Sequence, residues 1–223
     1  MIRLHAIVEG QTEETFVNDV LCQHLGQFDI STDARCVVTS RRRGSRGGLS
    51  SYAQVKRDVV LSSKQDPNPD SFFTTMFDLY RLPSDFPAYE GGKLLGDPYA
   101  RVKMLEGAFG QDIGRPRFVP YIQLHEFEAL VLVDPDQLLT QFPASAKEVE
   151  QLSDEVSSFA CPELIDEGGT TAPSKRIIRL IPEYEGRKPS VGPLVAGAIG
   201  IRKLKESCPH FSEWLGKLES LAA

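Results

Sequence analysis

The stretch Ile7-Val8-Glu9-Gly10-Gln11-Thr12-Glu13-Glu14, "IVEGQTEE", decides how the chain folds. Before it, Ile2 to Val8 is a mostly apolar run, broken by Arg3 and His5, that suits a strand buried on at least one face. After it, Phe16, Val17, Val20, Leu21 and Leu25 recur on one helical face. The reading is strand, glycine turn, helix, with Thr12 as the N-cap and with Glu13 and Glu14 complementing the helix dipole. Glu9 has no such local duty. It stands at the carboxyl end of a strand, where open α/β sheets build their sites.

The same pattern repeats along the chain. Ala34 to Ser40 ("ARCVVTS") reads as a second strand, Ser71 to Phe77 ("SFFTTMF") as a central strand running into Asp78, and Phe118 to Leu124 ("FVPYIQL") as another, ending in His125 and Glu126. Helical patterns occupy Tyr52 to Leu61, Pro98 to Phe109 and Glu126 to Val133. This alternation predicts an α/β domain with a mainly parallel sheet flanked by helices over residues 1 to 140. Residues 141 to 223 read as a helical cap or extension packed on that core as one unit. "GGTTAPSKRI" turns into a helix there, and "CPHFSEWLGKLESL" closes the chain with Phe211 and Trp214 facing the core.

Composition narrows the function classes. The chain has 223 residues, 41% hydrophobic and 25% charged, the proportions of an ordinary globular protein. No apolar stretch reaches membrane-spanning length, and Arg3, His5 and Glu9 interrupt the N-terminal run, so neither a membrane span nor a signal peptide is expected. Cys22, Cys36, Cys161 and Cys208 are widely spaced without a CxxC pair, which argues against zinc and for reduced thiols in the cytoplasm. A net charge of −6 argues against coating nucleic acid by bulk charge. It leaves room for a local basic groove feeding an acidic, metal-dependent site.

Three expected strands end in acids: Glu9, Asp78, and Glu126 beside His125. In a parallel sheet these ends share one edge, and Glu13, a helical turn beyond Glu9, faces the same edge. Clustered carboxylates repel, and a hard divalent cation is the usual means of holding them together. Mg²⁺ or Mn²⁺ held there supports phosphoryl chemistry. The candidate metal ligands are Glu9, Glu13, Asp78 and Glu126. Glu9, His125 and Glu126 are the candidate catalytic residues, with His125 orienting the cluster or contacting phosphate. Taken singly, each has a plain structural reading as a turn, cap or core residue.

"VEGQTEETF", "FDLYRLP", "YIQLHEFEALV", "TAPSKRI" and "CPHFSEWLGKLE" resemble the bacterial family called domain of unknown function 4276, over essentially the whole chain. The resemblance implies a Toprim-like fold, that of topoisomerase and primase catalytic domains and of overcoming-lysogenization-defect nucleases. It further implies a phage-defence setting beside a partner ATPase. Glu9 then matches the Toprim glutamate after the first strand, Glu13 the second glutamate of those nucleases, and Asp78 the first acid of an Asp-x-Asp motif. "DLY" departs from the motif by placing Tyr80 at the second acid, and Glu126 or Glu128 is left to supply the missing oxygen.

The run "SRRRGSRGGLS" predicts an exposed, mobile loop whose Arg41, Arg42, Arg43 and Arg46 suit a phosphate backbone or are simply solvated. Lys175 and Arg176, at an expected helix start, are phosphate-contact candidates through the resemblance. The leading expectation is a metal-dependent nuclease or nuclease-like effector on nucleic acid. The alternatives are a Toprim-like binding module without turnover and a small-molecule phosphoesterase. No GxxxxGK[ST] run occurs, so an ATPase function falls to a partner.

Overall fold

The computed structural model describes residues 1–37, 49, 51–165 and 168–222. β1 (Ile2–Val8) leads into α1 (Gln11–Phe16), which continues through a π-helical turn (Val17–Leu21) into α2 (Cys22–Gly26). β2 (Ile30–Cys36), α3 (Tyr52–Gln65) and β3 (Ser71–Asp78) follow, then α4 (Tyr89–Lys93), α5 (Pro98–Ile113), β4 (Phe118–Val119) and β5 (Ile122–Gln123). The rest is helical: α6 (Glu128–Val131), α7 (Ala146–Ser157), α8 (Pro173–Leu180), α9 (Lys188–Ile199), α10 (Ile201–Ser207) and α11 (Pro209–Glu219), with short 3₁₀ turns between several of them.

The five strands form one parallel sheet in the order β2-β1-β3-β4, with β5 also paired to β3. Side chains alternate across it, as strand geometry requires. Leu4, Ala6 and Val8 enter one apolar cluster with Phe16, Leu130, Val191 and Phe211. Ile7, Phe73 and Phe77 enter another with Val55, Val59 and Phe109. Helices therefore cover both faces, and the α/β architecture with a parallel sheet is as the sequence predicts. The first cluster joins residues from β1 to α11, and Trp214 of α11 donates to the Thr74 hydroxyl of β3 at 2.9 Å.

Three local expectations change. The second strand spans Ile30–Cys36 rather than Ala34 to Ser40; positions 38–40 lie outside the described residues. β2 is an edge strand whose polar "ISTDARC" run turns one face to solvent, so its hydrophobicity understates its pairing with β1. The Phe118–Leu124 strand is split in two, because Pro120 has no N–H for a ladder. Thr75 bridges the gap: its hydroxyl accepts from Tyr121 N at 3.0 Å and donates to Tyr121 O at 2.9 Å. The first helix is capped at Gly10, not Thr12, and the Glu13 carboxylate accepts from the Gly10 N–H at 3.0 Å.

Candidate acidic site at the carboxyl edge of the sheet

The chain leaves β1 toward β2 on one side and pairs β1 with β3 on the other. That reversal opens a crevice outside the carboxyl ends of β1 and β3, the usual ligand position in open α/β sheets. Glu9 and Asp78 line it, one from the end of each strand. The Asp78 N–H donates to Glu9 Oε2 at 3.3 Å, and Asp78 Oδ1 accepts from Phe127 N at 3.0 Å. One carboxylate thus links β1 to β3, and the next links β3 to the segment after β5.

Glu13, Glu126 and Glu128 complete a five-acid cluster. Each of the five is nearly buried, at 3 to 7% exposure. All of them line one cleft of about 1020 Å³, together with Tyr80, Arg81 and Lys188. Glu126 is held by α8: its carboxylate accepts from both Ser174 N and Ser174 Oγ, the latter at 3.0 Å. It serves as the N-terminal cap of that helix. Glu128 accepts from the Tyr184 hydroxyl at 3.3 Å and lies 3.6 Å from Lys188 Nζ. α9 comes this close because residue 192 is glycine; a Cβ there would stand 3.2 Å from both Phe127 and the Tyr184 hydroxyl.

Electrostatics follow from the burial. Loss of solvent pushes Glu9 up to about 7, with the Arg81 charge and the Asp78 amide pulling back. Burial and then the Glu9 charge bring Glu13 to about 7, and burial and then Glu126 bring Glu128 there. Asp78 is raised well above the usual carboxylate range by burial first, then by Glu13, Glu9, Glu126 and Glu128. Two cations offset this. Arg81 Nε lies 3.4 Å from Glu9 Oε1, and Lys188 pairs with Glu128. Lys188 occupies the first turn of α9, where the helix dipole disfavours a cation, so Glu128 compensates a local conflict.

The donor set suits a hard cation: five buried carboxylates that repel one another, with Arg81 and Lys188 set against them. Among the described residues, no three of these acids already stand together as a metal-binding group, since their oxygens are turned to Arg81, Ser174, Gly10, Lys188 and backbone amides.

The remaining candidates fall as follows. His125 is buried beside the cluster with a left-handed backbone, φ +61°, and its carbonyl accepts from Tyr80 N at 3.3 Å. Arg176 is committed to structure: its Nε donates to Thr171 O at 2.7 Å, and its guanidinium lies over Phe159 and near Glu155. Lys175 follows Ser174 in the first turn of α8. Arg41, Arg42, Arg43 and Arg46 lie outside the described residues. Sequence reasoning missed Arg81 and Lys188. "DLYR" offered a signal for the first, a cation three residues past a strand-end acid; nothing in the sequence ties Lys188 to Glu128.

The family model for the domain of unknown function DUF4276 matches residues 8–219. The chain belongs to the DUF4276 family. No curated protein and no solved structure matches it. The match embraces every acid of this DUF4276 site, from Glu9 to Glu128, as well as Lys188.

Proposed function

We propose that this DUF4276 protein is a metal-dependent phosphodiesterase acting on nucleic acid, a nuclease or nuclease-like effector with a Toprim-like catalytic edge. One observation carries the reading: Glu9, Glu13 and Asp78 converge, with Glu126 and Glu128, at the floor of a cleft over the carboxyl edge of a parallel sheet. Glu9, Glu13 and Asp78 would hold Mg²⁺ or Mn²⁺. When bound, such a cation polarises a phosphate oxygen and makes water more acidic.

The chain's own groups do the rest. Glu9, titrating near 7, can hold or accept a proton at the floor of the cleft. Arg81 and Lys188 neutralise phosphate charge from opposite partners of the cluster. Glu126, turned onto Ser174, fixes the wall beside Asp78. A cytoplasmic setting, and phage defence beside a partner ATPase, belong to the same proposal; the Toprim-like resemblance and four free cysteines support them.

The test is cleavage of plasmid, single-stranded DNA and RNA with Mg²⁺ or Mn²⁺, by the native chain and by Glu9→Gln. Metal-dependent cleavage that disappears in a folded Glu9→Gln protein is the expected result. Equal cleavage by the pure variant defeats the assignment at this site. A second reading, a binding module without turnover, is favoured by Tyr80 standing where a second acid is expected. It predicts nucleic-acid binding by the native chain with no cleavage under any divalent cation.

A further inference from the structure

Tyr80 is 44% exposed, whereas its neighbours Leu79 and Leu82 are 2% and 5% exposed. An aromatic ring left open beside two buried leucines does not serve the core. It lines the acidic cleft, two residues past Asp78, on the short 3₁₀ turn Leu79–Arg81. Its place is fixed three ways: by the turn, by its N–H bond to His125 O, and by Arg81. Arg81 Nε donates to the Tyr80 hydroxyl, and the guanidinium carbon stands 5.2 Å from the ring centroid. The same Nε faces Glu9, so the pair joins an aromatic surface to the buried floor.

That floor restricts what can reach it. The acids are more than nine-tenths buried, and the cleft has the volume of a large small-molecule pocket. A phosphodiester within a duplex is flanked by stacked, paired bases, and bringing it to such a floor requires that the strand leave its partner. A strand with free bases needs only a π-face to replace its lost stacking and a cation for its phosphate.

We infer that the cleft takes an unpaired nucleic-acid strand, with Tyr80 as the surface on which a base stacks and Arg81 as a phosphate contact. This rests on the phosphodiester reading above and names its substrate class. Tyr80 and Arg81 are specificity-determining residues, because both act on the strand rather than on the acids alone.

The experiment measures fluorescence anisotropy of labelled 12-mers of oligo-dT, oligo-U, an abasic strand and a duplex, with the full chain and Ca²⁺ as the divalent cation. The native chain is expected to bind oligo-dT or oligo-U more tightly than the abasic strand or the duplex; the two base-bearing strands separate DNA from RNA. Tyr80→Ala should weaken the base-bearing strand about 5- to 100-fold, the range of one stacked base. It should leave the abasic strand unchanged, and Tyr80→Phe should retain native binding. Arg81→Ala should weaken both strands and reduce the salt slope by about one.

Equal losses for abasic and base-bearing strands in Tyr80→Ala, at an unchanged melting temperature, overturn the stacking role. So does tighter binding of the duplex. Either result leaves the phosphodiester reading standing if the native chain still cleaves in a metal-dependent way. A native chain that neither binds nor cleaves any of the four overturns both.

Discussion

The backbone N–H of Tyr80 donates to the carbonyl of His125 across 3.3 Å, tying the turn after β3 to the turn after β5. His125 makes that carbonyl available by adopting φ +61°, a left-handed conformation that non-glycine residues rarely hold. Two residues on, the Phe127 N–H reaches Asp78 Oδ1. The His125 turn thus supports both the exposed aromatic at the mouth and a buried acid at the floor. Local strain at this point is offset by the surrounding packing, the pattern expected where geometry serves a site.

His125 can be separated into backbone and side-chain parts. Asn tolerates the left-handed region and lacks the imidazole; Val does not tolerate it. His125→Asn should melt within a few degrees of the native chain. His125→Val should lose roughly 1–3 kcal/mol by denaturant titration, the cost of a residue forced into a sparsely populated conformation. Equal stability of the two variants would show that the turn carries no strain.

The raised carboxyls make stability depend on pH in a definite direction. Glu9, Glu13 and Glu128 hold protons up to about 7 in the folded chain, against 4.5 ordinarily. The folded state therefore binds more protons than the unfolded one between these values. Their contribution is fully present below about 4.5 and is lost as pH rises through about 7. Glu13→Gln removes one such group and keeps an acceptor for the Gly10 N–H. Without divalent cations, it should be more stable than the native chain at pH 8, by on the order of 1–3 kcal/mol, and nearly equal to it at pH 5. Melting curves at the two pH values decide; a deficit of the same size at both would mean that Glu13 is a cap and nothing more.

Glu126 is expected to behave as a structural acid. Both of its oxygens accept from Ser174, which lies 48 residues away, and Ser174 is buried. Glu126→Ala leaves the Ser174 amide and hydroxyl without an acceptor inside the protein. The cost should be about 2–4 kcal/mol, from two buried donors at about 1–3 kcal/mol each with partial relaxation. Ser174→Ala removes one of the two bonds and should cost less. A Glu126→Ala protein that melts with the native chain would free Glu126 for the chemical role that its strand-end position suggests.

The strand-end acids were legible because they interrupt apolar runs that read as strands on their own, and parallel pairing then forces those ends onto one edge. Glu9 and Asp78 needed only the count of residues along β1 and β3. The break at Pro120 was present in the letters too, as a residue without an N–H, but its neighbours outvoted it. The sequence pattern puts β2 too late because an edge strand exposes one face and loses its apolar signature. Arg81 and Lys188 were not legible, since a cation gains meaning only from the buried carboxylate opposite it. The Glu126–Ser174 contact spans 48 residues and leaves no periodic trace.

Divalent cations should stabilise the chain, and the pH dependence of that effect identifies its ligands. Cation binding must displace the protons that Glu9 and Glu13 hold below about 7, and the one that burial and the neighbouring acids keep on Asp78 well above the usual carboxylate range. Mg²⁺ or Mn²⁺ should therefore raise the melting temperature strongly at pH 8 and weakly at pH 6. At one hundred times the dissociation constant the gain is about 2.7 kcal/mol. Asp78→Asn removes one acid of the set and should abolish the shift, although its amide oxygen can still accept from Phe127 N. Lys188→Ala should keep it or enlarge it, because the cation that offsets Glu128 has gone. A cation-induced shift that survives in Asp78→Asn would move the binding residues away from the β1–β3 crevice. No shift with any divalent cation at pH 8 would remove the metal from the proposal and leave the cluster a set of buried, hydrogen-bonded acids.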